Sequence, residues 1–180
     1  MNQVAETTQE PEVAADDRAE ATFNNADNVD DMYLTFALAE EEYGVGIGVV
    51  TEIVGMQRIM SVPDMPHYVK GVINLRGKVI PLMDARLRFG MPEKEYDDRT
   101  VVIVMDVDDS LIGLIVDGVS EVLEITSTQI DRHGQFGKTA GNERPVIFGI
   151  GKVGDRVSIL LDTSVLVSDS EINLPEEVAG

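Results

Sequence analysis

Short apolar runs, broken at close intervals by glycine, proline or clustered acids, set the character of the central chain. Residues 33–38 alternate apolar and polar positions up to a polar turn at 39–42, and residues 43–47 return. Gly44 and Gly46 in that return predict a bulge or a close backbone approach. Within residues 49–56, Val50, Ile53 and Val54 recur at helical spacing, but the β-branched content favours a strand. Residues 100–106 are almost continuously apolar, the pattern of a strand buried on both faces. Asp108, Asp109 and Ser110 turn that strand, and residues 111–117 return. Residues 118–125 alternate again, with Gly118 expected at a bulge. Residues 146–151 and 156–161 read as a hairpin over Gly154-Asp155.

Between these runs lies the segment Gly71-Val72-Ile73-Asn74-Leu75-Arg76-Gly77-Lys78-Val79-Ile80-Pro81-Leu82-Met83-Asp84. Gly71 and Gly77 frame a tight reversal, because glycine enters left-handed backbone regions without steric cost. Residues 79–83 read as a strand, and Pro81, which donates no ladder hydrogen bond, puts that strand at an edge or ends it. Arg76 stands at the tip, where the plain expectation is a solvated turn arginine. Brief helices are expected over 64–70 (capped by Asp64, stopped by Gly71), over 84–90 (capped by Asp84, ended by Gly90) and over 163–168 (capped by Asp162). A polar linker at 91–99 separates two strand-rich halves, roughly 32–90 and 100–168. About ten short strands with only brief helices predict an all-β protein of barrel or sandwich type. Whether each half closes on its own strands or borrows one stays open at this point.

Charge is distributed unevenly along the 180 residues, whose formal net charge is -19. Residues 1–31 carry nine acids and one arginine, lack hydrophobic periodicity and are expected to be a disordered acidic tail. Residues 169–180 carry four acids and no base and are expected to be a second acidic tail. The body, 32–168, holds 20 acids and 13 bases, a net of -7. Such a surface repels phosphate backbones, which argues against nucleic acid as a partner. The absence of cysteine removes disulfides, thiolate nucleophiles and zinc–sulfur sites. No secretory signal and no run of roughly 20 apolar residues is present, so the expectation is a soluble, cytoplasmic protein.

Candidate chemistry is sparse. His67 and His133 are the only histidines in the sequence, and neither has a neighbouring nucleophile or acid at a spacing that suggests a general base. Gly134-Gln135-Phe136-Gly137-Lys138-Thr139 has too few residues before Gly-Lys-Thr for a phosphate loop and reads as an ordinary loop. Asp106, Asp108 and Asp109 lack the further oxygens of a calcium loop and read as turn residues. Asp117, among apolar neighbours, is expected to bond turn amides. No catalytic residue, cofactor or metal follows from these patterns, and a protein-binding domain fits them better.

Several of these segments resemble the signatures of CheW-type chemotaxis coupling proteins. They are residues 71–84, with Asn74-Leu75-Arg76-Gly77 at the centre, and residues 115–123, with Asp117-Gly118-Val119. Residues 41–44, 50–53, 100–104 and 149–156 match in the same order, so the likeness runs from about Met32 to Ser168. The resemblance implies two five-stranded SH3-like β-barrel subdomains packed around a shared hydrophobic seam. It further implies a non-enzymatic adaptor, cytoplasmic and recruited to membrane receptor arrays, that joins the cytoplasmic tips of transmembrane chemoreceptors to the regulatory domain of a CheA-type histidine kinase. Carried over position by position, the receptor-binding residues fall on Val50, Glu52, Gly71, Arg76, Thr100, Gly113, Val119 and Val122. The kinase-binding residues are not assigned. An adaptor of a different kinase-controlled pathway, such as surface motility, is the nearest alternative, and a small β-barrel hydrolase a distant one. The long acidic N-terminal tail departs from the compact family pattern.

Overall fold

A computed structural model describes residues 26–132 and 145–168. Eleven strands carry this part of the chain: β1 (Met32–Leu38), β2 (Glu41–Gly46), β3 (Val50–Gly55), β4 (Val69–Leu75), β5 (Lys78–Asp84), β6 (Val101–Val107), β7 (Ser110–Val116), β8 (Gly118–Glu124), β9 (Ile130–Asp131), β10 (Ile147–Val153) and β11 (Arg156–Leu161). Two short helices, α1 (Ala85–Arg88) and α2 (Thr163–Ser168), follow β5 and β11. The strands form two sheets, one in the order β3-β6-β7-β5-β4 and the other in the order β8-β1-β2-β11-β10-β9.

Apart from the two-residue β9, the two sheets repeat one pattern. Each runs edge strand, antiparallel hairpin, one parallel pairing, antiparallel neighbour. Strands β8, β10, β11, β1 and β2 therefore take the places of β3, β4, β5, β6 and β7. The correspondence holds residue by residue. Val50 faces Met105 as Val119 faces Phe36, and Leu82 faces Gly113 as Leu160 faces Gly44. Both helix starts repeat too. Asp84 and Asp162 each accept a 3.2 Å bond at Oδ1 from the amide three residues on, and each donates its own amide at 2.7 Å to a carbonyl, of Tyr68 and Val146 respectively. The N-terminal hairpin β1–β2 thus completes a sheet whose other strands come from the end of the chain. Both sequence halves, 32–90 and 100–168, contribute strands to both sheets, which is the strand exchange left open above.

Three apolar clusters fill this frame. Ile73, Ile80, Leu82, Val102, Val104 and Ile115 occupy the interior of the five-stranded sheet. Tyr33, Ile125 and Leu160 occupy the interior of the other. Between the sheets lies the largest cluster, to which β1 gives Leu34, Phe36 and Leu38, β6 gives Ile103, Met105 and Val107, and β7 gives Ile112, Leu114 and Val116. Alternation along a strand sends successive side chains to opposite faces. On β6 the even positions Val102 and Val104 fill the barrel and the odd ones fill the seam, so both faces are buried and the run carries no polar residue before Asp106.

Several expectations change. Residues 64–68 are turns and irregular chain and residues 69–70 already belong to β4, so no helix forms there. Pro63 and Pro66 bias the residues before them to extended backbone, and Asp64 adopts φ 61° instead of capping. The strand containing Pro81 is not an edge. It lies between β4 and β7, and proline is accommodated because the ladder to β7 begins only at Leu82. The β8 bulge falls at Ser120 and Glu121 instead of Gly118. There the buried Thr35 hydroxyl donates to the Glu121 carbonyl at 2.7 Å and accepts from its amide at 3.2 Å. Residues 91–99 are a strap laid on the five-stranded sheet, held by the Lys70–Glu93 ion pair and by the Tyr96 hydroxyl donating to Asp84 Oδ2 at 2.7 Å. Residues 26–31 form a 3₁₀ turn, which shortens the expected N-terminal tail. Residues 1–25, residues 133–144 with His133 and the glycine-rich Gly134–Thr139 stretch, and residues 169–180 lie outside the described part.

Gly71 is also reassigned. The reversal is made by Arg76 (φ 52°) and Gly77 (φ 85°), while Gly71 lies inside β4 with φ 142°. The chain leaving β3 crosses to β4 through an isolated bridge between Met60 and Val72, drawing the sheet round toward closure. A Cβ on Gly71 would stand 2.1 Å from the Met60 carbonyl oxygen. Backbone cannot yield there as a side-chain tip can. Gly71→Ala is therefore expected to cost roughly 3 kcal/mol or more, from backbone strain and overpacking combined. Urea unfolding is the measurement, and a midpoint equal to that of the unsubstituted chain would refute this role for Gly71.

Candidate functional site

The β4–β5 turn is shaped by its own residues. Asn74 Oδ1 accepts from the Gly77 amide at 2.9 Å, and Gly77 takes the positive φ that follows Arg76. This geometry lifts the Arg76 side chain out of the sheet, where it is 69% exposed, and directs it onto Glu52 of β3 in an ion pair. The two strands lie at opposite edges of the five-stranded order, so the pair spans the open side of the curled sheet. Beside it lies a cavity of about 420 Å³ whose walls include Glu52, Arg76, Lys78 and Asp106, with Ile80 and Leu111 as apolar surface. Charged groups of both signs around an apolar floor can receive a protein side chain together with its polar neighbours.

A second polar constellation sits where β7 passes into β8, the crossover between sheets. Asp117 occupies that crossover. Arg86 of α1 donates to it through Nε at 2.9 and 3.1 Å and through Nη2 at 2.7 Å. The Ala39 amide, in the β1–β2 turn, adds a bond of 2.7 Å to Oδ2. One carboxylate thereby joins α1, the sheet crossover and the first hairpin. Burial alone would raise the Asp117 pKa, but the bonds from Arg86 and the Ala39 amide outweigh it and hold the carboxyl below its ordinary range. The same bond raises Arg86 further.

The eight residues that the resemblance selects do not form one cluster. Glu52 and Arg76 are joined directly. Val50 and Val119, counterparts on the two edge strands, are half-buried against the seam. Val122 on β8 is 44% exposed, and its counterpart on β3, Ile53, is 43% exposed. Thr100 is buried at the start of β6, where its hydroxyl accepts from the Asp97 amide at 2.9 Å. Gly71 and Gly113 lie inside strands. A Cβ on Gly113 would meet Leu82 at 2.4 Å and Val102 at 2.7 Å, so its small size serves the barrel interior. Of the turn amides expected around Asp117, the structure supplies one, that of Ala39. Arg86 was not legible in the sequence, since a partner 31 positions away becomes visible only when the sheets are assembled. Among the described residues, His67 is exposed and its ring meets Tyr68 edge-on at 5.5 Å. No group of three potential metal ligands occurs there either.

The CheW-like domain family model matches residues 32–171, a span that contains both sheets. The chain belongs to the CheW-like family. The chemotaxis protein CheW of Klebsiella aerogenes is 39% identical over 153 residues, covering 85% of this chain and 91% of the relative. The chemotaxis protein CheW of Helicobacter pylori is 34% identical over 139 residues, covering 77% and 82%. Among solved structures, the scaffolding protein TtCheW of Thermoanaerobacter tengcongensis superposes with a TM-score of 0.64 at 32% identity, over 76% of this chain and 86% of that one. The all-β, two-subdomain architecture drawn from the sequence is that of the CheW-like fold. No helix among the described residues is long and apolar enough to cross a membrane.

The Asp117 junction of this CheW-like chain yields a pH-dependent expectation. Because the folded carboxyl titrates below its ordinary value near 3.8, its stabilisation is complete above that value and is lost as pH falls through the folded pKa. Asp117→Asn should therefore cost about 2 kcal/mol at neutral pH, the scale of hydrogen bonds to a charged group. The deficit should shrink in acid below the ordinary aspartate range. Denaturant titrations of both proteins from neutral pH into acid are the measurement, and a deficit that does not change with pH would remove the carboxylate's charge from the account.

Proposed function

We propose that this CheW-like chain is a chemotaxis adaptor that couples transmembrane chemoreceptors to a CheA-type histidine kinase, acting through protein contacts and without chemistry of its own. The match of the family model across 32–171, the whole two-sheet body, carries the reading. The scaffolding role named for the Thermoanaerobacter tengcongensis relative supports it, as does the series of relatives named chemotaxis proteins. In this reading the protein works in the cytoplasm and reaches membrane arrays through its partners.

The receptor tip is proposed to meet Val50, Glu52, Gly71, Arg76, Thr100, Gly113, Val119 and Val122 in different capacities. Exposed Val122 and half-buried Val50 and Val119 offer apolar contact along the two edge strands. Arg76 and Glu52 supply polar register beside the 420 Å³ cavity. Gly71, Gly113 and Thr100 act from beneath, holding the strands and the start of β6 in the shape that presents those contacts. The kinase regulatory domain binds elsewhere on the same body, which is what coupling requires.

Arg76 gives the most direct test. Its side chain is largely in solvent, so its ion pair with Glu52 contributes little to folding. Arg76→Ala should leave the unfolding midpoint nearly unchanged and weaken association with a chemoreceptor tip fragment by about 1–3 kcal/mol, the range for hydrogen bonds of a charged group. Calorimetric titration with the fragment decides, and full affinity in the folded variant would take Arg76 out of the receptor site.

A further inference from the structure

The repeat that relates the two sheets also exposes where they differ. The counterparts of Asp117 and Arg86 in the other half are Gly48 and Ser164, given by the same register. That junction, lined by Gly46, Gly48, Val49 and Thr163 among others, bounds a cavity of only about 210 Å³. The fold thus makes this connection once with no charge at the two corresponding positions. At the charged junction the cavity reaches about 610 Å³, and its walls include Arg86, Lys94, Arg99, Asp117, Val119 and Ser120.

Three cations therefore face one carboxylate, in a body whose net charge is -7. Asp117 is already saturated by Arg86 and the Ala39 amide. Among the described residues, Lys94 pairs only with Asp97, at 3.4 Å, and both side chains are exposed. Arg99 is exposed and makes no ion pair among the described residues. Its backbone amide is tied to Asp97 Oδ1 at 2.8 Å, which fixes the base of the side chain at the rim. Arg86 Nη1 has no closer acceptor than the Pro92 carbonyl, at 3.5 Å. The cavity is continuous with the proposed receptor surface through Val119 and through Val101, which follows Thr100.

We infer that this cavity is an acceptor site for a carboxylate side chain of the receptor tip, seated between Lys94 and Arg99 while adjoining apolar groups meet Val101 and Val119. The inference rests on the adaptor reading and extends it to the chemistry of the partner. Cations at a rim act mainly on encounter, raising the association rate and its dependence on salt, whereas buried apolar contacts set the lifetime of the complex.

The test uses the full chain and the Lys94→Glu/Arg99→Glu double variant, with a chemoreceptor tip fragment in stopped-flow binding across a salt series. Both residues are exposed, so the variant should keep the unfolding midpoint of the original. Its association rate should fall about tenfold at low salt, and the difference should close as salt rises toward roughly 0.5 M, where exposed charges are screened. Binding to the kinase regulatory domain should not change. Equal rates and equal salt slopes in the two proteins would overturn the inference while leaving the adaptor reading intact. Faster or tighter binding by the variant would make the chain's own acidic segments the occupant, and would overturn it as well. If the unsubstituted chain does not bind the fragment at all, the adaptor reading falls, and this inference with it.

Discussion

The structure depends on strands that must satisfy two cores at once. β6 sends Val102 and Val104 into one barrel and Ile103 and Met105 into the seam between sheets, and all four are buried. β1 does the same on the other side, with Leu34 and Phe36 in the seam and Tyr33 in its own barrel. Full burial of such a side chain is worth about 1.5–3 kcal/mol, so neither face of these strands can be given to water without large loss. A one-residue slip would exchange the two sets and mismatch both clusters. Register is consequently fixed from two directions, and the seam holds the subdomains together by the same residues that define each one.

That constraint acts more weakly on the edge strands. Edge strands β3 and β8 contribute one valine each to the seam, Val50 and Val119, and leave Ile53 and Val122 in solvent. Both bulge at the same step of the repeat, at Thr51 on β3 and at Ser120–Glu121 on β8. The bulges interrupt the pairing locally and turn side chains outward, a device common beside binding surfaces. On β3 the outward carboxylate, Glu52, meets Arg76. On β8 its counterpart, Glu121, meets Arg156, which also bonds Glu42 at 2.7 Å. The same glutamate position is neutralised in both halves from the equivalent hairpin, by Arg76 in the β4–β5 turn and by Arg156 at the start of β11, so the repeat preserves the cation while shifting its position along that hairpin.

Much of this was legible in the sequence because local chemistry and global fold agree. The uninterrupted apolar run of β6, the Asp108-Asp109 turn and the caps Asp84 and Asp162 are each decided by a few neighbouring residues. What escaped depended on assembly. Pro81 signals an edge to any local rule, yet its strand is interior because the parallel ladder starts one residue later. Residues 91–99 look like a linker by composition, while Tyr96 pins them to the buried Asp84. Burial, then the bond to Asp84, raises the Tyr96 hydroxyl well above its ordinary range, so it stays protonated and donating. Of the candidate site, the Arg76 tip was readable from its turn, whereas its pairing with Glu52 required the sheet to curl.

The Arg86–Asp117 junction shows how a repeated scaffold separates structural need from specialisation. Where Gly48 and Ser164 stand in the corresponding places, hydrogen bonds of the strands and the helix cap suffice to turn the chain. An ion pair between side chains 17% and 15% exposed is a poor way to gain stability alone, since desolvation of both groups offsets most of the attraction. Its geometric effect is larger. Asp117 orders the crossover from which β8 starts, and β8 carries Val119 and Val122. A rigid pair at that point fixes the direction of an edge strand that would otherwise be held only by β1. Charge placed at one of two equivalent junctions therefore makes the two faces of a near-symmetric body distinguishable, as the proposed coupling of two different partners would require.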